Sequence, residues 1–267
     1  MLRRGDRKWL GDRFQALEQR MQTQESAMRR LAKQYKSIKQ REQRMDLTLR
    51  RVAERLDRST TSVEPGFSDI AQATLAAGRT LMGPDRLYVL WQAVRNTAHL
   101  GLPALEVGTF RGGSARFIAA SRREFSEPAA LYVYDTFEGH LGRSISEWDP
   151  HHRPGLFSDT SLEEVVDYLA ELPEIEVRRG AFPEAAATLP GGVRFGFAHL
   201  DVDLYVPTLR TLELLVDRMP PGAVIVVDDY GAGKTAGVMK AIREALDAGL
   251  PYQLWDSATE QAVLIRR

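Results

Sequence analysis

The chain has 267 residues, of which 43% are hydrophobic and 27% charged, so one or two packed domains are expected and global disorder is excluded. It contains no cysteine, which excludes disulfide scaffolds, thiol catalysis and thiolate metal sites. Its 36 basic residues balance 36 acidic ones, so we expect no nucleic-acid partner. The longest purely apolar run (223–227) is far too short to span a membrane, and no apolar run follows the basic start. We therefore expect a cytoplasmic protein without a secretory signal.

The first 58 residues carry a heptad pattern. Apolar residues recur with alternating spacings of four and three from Leu10 to Leu56, and only Gln24 and Glu42 interrupt the seam. Residues 12–58 contain neither proline nor glycine. A heptad pattern sustained this far predicts a coiled-coil rod of roughly 70 Å, because a lone amphipathic helix drifts toward a period of 3.6.

The charges that flank this seam favour a parallel homo-oligomer, and a dimer in preference to a trimer. In that arrangement three arginines at g positions each face an acid of the partner strand at the following e position: Arg13 with Glu18, Arg20 with Glu25 and Arg41 with Asp46. The alternative is a helix that folds back on its own domain. Residues 1–58 also hold 17 basic but only 8 acidic residues, which makes a membrane surface or a glycan-synthesis complex the hypothetical partner of this segment.

Residues 59–66 (STTSVEPG) are polar, break the heptad and are interpreted as a linker. In the remaining domain, 67–267, a helical lead-in precedes apolar strands that alternate with helical patterns. This order predicts an α/β fold with a doubly wound parallel sheet, closed at one edge by an antiparallel C-terminal hairpin. The predicted strands are 103–107, 131–135, 175–179, 195–201, 223–228, 252–256 and 261–266.

A glycine-rich turn follows the first predicted strand, in the segment EVGTFRGGS (106–114). Its glycines allow a ligand to approach the backbone closely, and the next helix offers free N–H groups there. The second strand ends in Asp135, at the place where α/β nucleotide-binding proteins bind ribose hydroxyls. Together these features indicate a nucleoside-containing cofactor, and the alternative is an ordinary turn beside a solvated aspartate.

Four carboxylates follow two later strands: Asp201 and Asp203 in HLDVDLY, and Asp228 and Asp229 in VIVVDDYG. If these strands are neighbours, the four groups crowd one edge of the sheet and need a counter-charge. A hard divalent cation such as Mg²⁺ suits carboxylate oxygens. The alternative is a set of solvated acidic strand ends.

Residues 138–160 form a long loop without clear periodicity, which is interpreted either as a lid or as an ordinary surface loop. Trp148 is a candidate for stacking on a sugar ring, and His140 is a candidate for contact with substrate hydroxyls.

The motifs EVGTFRGGS, YDTFEG, RRGAF, HLDVDLYVPTL and VIVVDDYG, in this order, resemble those of the macrocin O-methyltransferase family over about residues 70–267. That resemblance implies a class I, S-adenosylmethionine-dependent and metal-dependent enzyme that methylates sugar hydroxyls on glycosylated natural products or glycans. The acids are also similar in arrangement to those of catechol O-methyltransferase. The chain departs from the family pattern at His140, where the family often has Leu or Ile.

The resemblance also implies roles for individual residues. Asp201, Asp228 and Asp229 would bind the metal, and Asp203 would be the general base. Asp135 would bind the cofactor's ribose. The other implied cofactor contacts are Glu106, Gly108, Thr109, Gly113 and Ser114 at the methionine part, and Ala181 and Phe182 at the adenine.

Three further functions stay open at the level of the sequence. One is a metal-dependent glycosyltransferase that uses the D-x-D acids, and another is methylation of a small non-sugar diol or catechol. The third is a catalytically silent assembly module in which the coiled coil is the functional part.

Overall fold

The computed structural model of the protein describes residues 64–127 and 129–267. The expected coiled coil at 1–58 lies outside the described residues, as does the linker up to residue 63. The first described helix begins at Pro65, so the last two residues of the expected linker, Pro65 and Gly66, belong to its first turn.

Helices and strands alternate along most of the described chain, as the sequence predicts. The helices are α1 (Pro65–Ala76), α2 (Pro84–Thr97), α3 (Gly113–Phe125), α4 (Leu162–Leu169), α5 (Tyr205–Leu215) and α6 (Ala236–Asp247). The strands are β1 (Ala104–Val107), β2 (Leu131–Asp135), β3 (Ile175–Arg179), β4 (Phe197–Leu200), β5 (Val224–Val227), β6 (Tyr252–Asp256) and β7 (Ala262–Arg266).

The strands form one sheet in the order β3-β2-β1-β4-β5-β7-β6. The strands β1 to β5 pair in parallel, whereas β7 pairs antiparallel with both β5 and β6. This mixed sheet, with its antiparallel C-terminal strands, confirms the predicted α/β architecture. Successive strands are added on one side of β1 as far as β3 and then on its other side from β4, and this switch in strand order is the point where α/β sheets open a crevice for ligands.

The register brings the carboxyl ends of the central strands level with one another. Val107 of β1 pairs with Leu200 of β4, and Leu200 pairs with Val227 of β5. The residues that follow these strands therefore share one edge of the sheet, and Asp201 and Asp228 leave it side by side.

Hydrophobic layers cover both faces of the sheet, so that every residue of β1, β4 and β5 is buried. Trp91 of α2 and Phe117 of α3 pack in the layer on one face. Leu212 of α5 and Ile242 of α6 pack on the other. Among residues 64–127 and 129–267, no helix combines the length and apolarity needed to cross a bilayer.

Candidate active site

A cavity of about 290 Å³ opens at the carboxyl ends of the parallel strands. The loop after β1 and the ends of β2 and β3 line one part of it, and the segment after β4 lines another. The predicted cofactor turn and part of the predicted acid group therefore face the same space.

The turn after β1 is shaped for close approach. Gly108 has a φ of +85°, and a Cβ added there would overlap the carbonyl oxygen of Asp201. A Cβ added at Gly113 would lie 2.7 Å from the backbone of Arg79, although Gly113 does not line the cavity. Side chains are thereby excluded from both positions, and the backbone of the turn lies at the cavity wall.

Thr109 has a side chain that a ligand in the cavity would satisfy. Its side chain lines the cavity and is buried, yet its Oγ1 has no hydrogen-bond partner in the structure. Buried hydroxyls are normally paired, because an unpaired one loses the hydration that it has in water. Ser114, also expected at the cofactor, lies in the first turn of α3 and lines the same cavity.

Asp135 ends β2 and lines the cavity as expected. One of its oxygens accepts hydrogen bonds from the backbone N–H groups of Thr109 and Phe110, both at 2.9 Å. The other accepts from the N–H of Phe137 at 2.8 Å. This carboxylate therefore also fixes the cofactor turn to the loop after β2. Ala181 and Phe182, after β3, line the cavity as well.

Glu106, expected beside the cofactor's methionine part, instead lies fully buried in the sheet, because β1 pairs with β4 and sets this carboxylate beside His199. The distance from its Oε1 to His199 Nδ1 is 3.0 Å. On the other side of the ring, His199 Nε2 lies 3.7 Å from Oδ1 of Asp228. Burial alone would favour the neutral ring, but the neighbouring carboxylates of Asp228 and Glu106 raise the pKa of His199 to about 10. This pKa favours the charged form of the buried ring, close beneath the acids.

The four acids do gather at one edge, and we call Asp201, Asp203, Asp228 and Asp229 the acidic rim. Burial, together with the charges of Asp228 and Asp203, raises the pKa of Asp201 well above its usual range. Burial and a hydrogen bond with Asp229 do the same for Asp203. Both Asp203 and Asp229 have a φ near +60°, a strained conformation for residues other than glycine, of the kind that clusters at functional sites.

Arg86 is the part of the site that the sequence did not reveal. It reaches the rim from the first turn of α2, with its Nη1 3.4 Å from Asp228 Oδ2 and its Nη2 3.1 Å from Asp229 Oδ1. The same guanidinium contacts Glu260 at 3.2 Å, in the turn between β6 and β7. No local pattern could identify this residue, because 142 positions separate it from Asp228.

The rim acids differ in how far they are available to a metal. Carboxylate oxygens of Asp201, Asp203 and Asp229 lie within 4.8 Å of one another. Asp228 does not line the cavity; its Oδ1 accepts from the Gln261 amide and its Oδ2 faces Arg86. Asp228 nonetheless lies close to Asp201.

The residues present fit both groups that the sequence implies. The carboxylates are hard donors, and a cation at the rim would relieve the mutual repulsion that, after burial, raises the pKa values of Asp201 and Asp203. The close-approach turn at Gly108 and the unpaired hydroxyl of Thr109 fit a cofactor that lies along the β1 turn.

The long loop 138–160 folds back over the cavity. His140 exchanges backbone hydrogen bonds with Leu156 and Gly155, both at 2.9 Å, and its ring lines the cavity. Its Nε2 lies 3.3 Å from Asp203 Oδ2. Trp148, the other candidate for substrate contact, lies outside the cavity, because its ring packs beneath the Lys240 ammonium of α6 at 4.9 Å.

The first comparison with known proteins is with models of protein families. The family model described as Macrocin-O-methyltransferase (TylF) matches residues 8–254. The match begins well before residue 70, where the recognisable motifs start, and so includes most of the segment with the heptad pattern. It ends before the last strand.

Two curated relatives match over part of their length. The 8-demethyl-8-(2,3-dimethoxy-alpha-L-rhamnosyl)-tetracenomycin-C 4'-O-methyltransferase of Streptomyces olivaceus is 32% identical over 168 residues, which cover 58% of this chain and 64% of that protein. The mycinamicin III 3''-O-methyltransferase of Micromonospora griseorubida is 26% identical over 167 residues, which cover 57% and 65%. The chain thus spans slightly less than two thirds of the length of these relatives.

Among solved structures, the O-methyltransferase NovP superposes with a TM-score of 0.62 at 23% identity, over 70% of this chain and 82% of that one. A likeness at this level of identity shows the shared fold.

Proposed function

This chain belongs to the macrocin O-methyltransferase (TylF) family, and on that premise we propose that it transfers a methyl group from S-adenosylmethionine to a sugar hydroxyl of a glycosylated natural product or glycan. The observation that carries the proposal is one cavity bounded by two features. The β1 turn with its unpaired Thr109 hydroxyl lies on one side, and the acidic rim lies on the other.

The cofactor proposal follows from which side chains reach the cavity. Thr109 and Ser114 offer hydroxyls to the methionine part, and Gly108 allows the backbone to approach it. Asp135 retains lone pairs for a ribose hydroxyl beside the backbone bonds that it already accepts. Ala181 and Phe182 supply the apolar surface for the adenine. When bound, the sulfonium of this cofactor supplies an activated methyl group.

For the metal we propose Asp201 and Asp229 as the principal ligands. Asp228, expected as the third, contributes its charge from behind them, because Gln261 and Arg86 already engage its oxygens. When bound, a hard divalent cation such as Mg²⁺ polarises an acceptor hydroxyl.

The base in this proposal is Asp203. Its carboxylate lies within 4.8 Å of those of Asp201 and Asp229 and faces the cavity, so it can accept the proton of a hydroxyl held at the rim. His140 is hydrogen-bonded to Asp203 and lines the cavity, so it is placed to contact sugar hydroxyls. Alignment of oxygen and methyl carbon is then the main task left to the cavity walls.

The choice of a sugar acceptor draws support from the relatives. The name of the Streptomyces olivaceus protein specifies a rhamnosyl-bearing substrate and a 4'-O-methyl transfer. Vicinal hydroxyls of a sugar ring suit a rim of this kind, since two of them can be held at once.

The experiment is calorimetry of the full chain with S-adenosylmethionine, its demethylated product and a UDP-sugar, each with and without Mg²⁺. Binding of the first two and not of the UDP-sugar supports the proposal. Binding of the UDP-sugar alone would favour the glycosyltransferase. Transfer of a labelled methyl group to components of a glycan extract then identifies the acceptor.

The heptad segment supports a separate proposal, that the protein is a parallel coiled-coil dimer held at a cytoplasmic membrane surface by its arginine-rich faces. Light scattering of the full chain at micromolar concentration tests the first part. Leu31→Lys, in the seam, is expected to weaken the dimer, and Ser37→Lys, outside the seam, serves as its control. A monomeric wild-type chain would contradict the heptad interpretation.

A further inference from the structure

Two histidines of the loop 138–160 face each other above the acidic rim. The distance between His140 Nδ1 and His152 Nδ1 is 3.3 Å, and the ring centroids lie 5.0 Å apart with the planes inclined at 42°. The motifs that contain the cofactor turn and the acidic rim include neither ring.

The partners of the other two ring nitrogens constrain where the protons are. His152 Nε2 lies 3.2 Å from the carbonyl oxygen of Lys234, which can only accept, so this nitrogen carries a hydrogen. His140 Nε2 lies 3.3 Å from Asp203 Oδ2, so the outer nitrogen of each ring has an oxygen partner. The two Nδ1 atoms are the nitrogens that remain, and they face each other across 3.3 Å.

Two Nδ1 atoms at this distance can share a hydrogen or bind one metal ion between them. Burial lowers the pKa of both His140 and His152, and the neutral ring that burial favours is the form of imidazole that binds metals.

The geometry matches such an ion. In a tetrahedral zinc site with Zn–N bonds of about 2.0–2.1 Å, two ligand nitrogens are separated by about 3.3–3.4 Å. Metal-binding histidines also typically donate their second N–H to a carboxylate or a backbone carbonyl, and here Asp203 and Lys234 provide one of each.

We propose that His140 and His152 bind a borderline divalent cation of the Zn²⁺ class through their Nδ1 atoms, at a site separate from the hard-cation site of the rim. Asp203 is the acidic partner behind His140, and one of its oxygens lies within 4.8 Å of a ring nitrogen of each histidine. Imidazole donors favour Zn²⁺, Co²⁺ and Ni²⁺, whereas carboxylates favour Mg²⁺.

An ion at this site would affect the proposed methyl transfer, and the expected effect rests on that proposed function. The ion fixes the loop 138–160 over the cavity and holds Asp203 in its hydrogen bond with His140. Both effects withdraw Asp203 from an acceptor hydroxyl, so zinc-class ions are expected to inhibit the enzyme at saturating Mg²⁺.

Binding is tested directly on the full chain, with Mg²⁺ in excess to fill the rim. Co²⁺ titration followed by visible absorption reports nitrogen ligands without any need for activity, and Zn²⁺ is expected to displace the cobalt. His152→Asn is expected to weaken Co²⁺ binding by at least about tenfold. The matched control is His151→Asn, which removes the exposed neighbouring histidine and is expected to bind as the wild type does.

Equal Co²⁺ affinity in wild type and His152→Asn would overturn the proposal, as would the absence of a cobalt spectrum in the wild type. Either result would leave a hydrogen-bonded chain between Asp203, His140 and His152 instead of a metal site. S-adenosylmethionine calorimetry on the same samples tests the proposed function separately. If the protein binds cobalt but not S-adenosylmethionine, the histidine site is supported and the proposed methyl transfer is contradicted.

Discussion

Replacement of His199 by glutamine tests whether a buried cation supports the acidic rim. In the wild type the His199 ring lies between Glu106 and Asp228, which favours its charged form, and every atom of its side chain is buried. Glutamine retains a hydrogen-bond donor of similar length but carries no charge. The variant therefore leaves two buried acids without their shared counter-charge, which typically costs about 3–5 kcal/mol.

The pH dependence distinguishes this cause from a simple packing defect. The folded-state pKa of about 10 exceeds the ordinary histidine value of 6.5. Stability from the charged ring is therefore complete below pH 6.5 and is lost as the pH rises toward 10. A shift of this size corresponds to at most about 5 kcal/mol, and to a loss of up to about 1.4 kcal/mol per pH unit within that window.

The assay is urea unfolding of the wild type and His199→Gln between pH 6.5 and 10, with EDTA present. The carboxyls of the rim also titrate, so the difference between the two profiles is the quantity of interest. We expect the variant to be less stable at pH 7 and the gap to narrow toward pH 10. The exposed histidine variant His99→Gln is expected to follow the wild type. Parallel profiles for wild type and His199→Gln would refute the buried cation.

Three further predictions concern the cavity. Asp203→Asn should lower kcat by about 10²–10⁴-fold while the calorimetric affinity for S-adenosylmethionine is unchanged, because only proton removal is lost; equal kcat would exclude this base. Gly108→Ala should abolish cofactor binding and lower the Tm, because the added Cβ would overlap the Asp201 carbonyl. The control is Gly101→Ala, which has a φ of +61° but open space around it, and it should lower the Tm only by the smaller cost of a positive φ in a residue with a Cβ. Arg86→Gln should destabilise the metal-free protein and increase the Mg²⁺ affinity measured by calorimetry at least about tenfold. Both effects are expected because the variant removes a positive charge that lies 3.1–3.4 Å from two rim carboxylates. An unchanged affinity would show that Arg86 does not influence the ion.

The sequence was sufficient for the features that depend on local pattern and parallel register. Asp201 and Asp228 each follow a short apolar strand, and parallel neighbours end at the same edge, so their proximity could be predicted without coordinates. The same reasoning placed Asp135 at the cavity.

The sequence was insufficient where a side chain's environment depends on packing across the sheet. Glu106 belongs to the cofactor motif by position, yet the pairing of β1 with β4 turns it toward His199 and away from the cavity. Trp148 has the residue type of a sugar platform, but the fold of its loop sets it against Lys240. Arg86 comes from a helix whose contact with the rim no motif specifies.

The charges at the sheet edge suggest why Arg86 and His199 are both present. The four rim aspartates, Glu106 and Glu260 are six acidic groups, whereas Arg86 and His199 supply the neighbouring positive charges, one beside the rim and one beneath it. Burial and mutual repulsion raise the pKa of Asp201 and Asp203, and a bound divalent cation would favour their ionised forms. Loss of Arg86 or His199 would leave more negative charge at the rim, and a further side-chain cation would weaken metal binding. We therefore expect the two cations to set how many divalent ions the rim accepts, and Mg²⁺ titration of Arg86→Gln is the measurement in which a second binding event would appear.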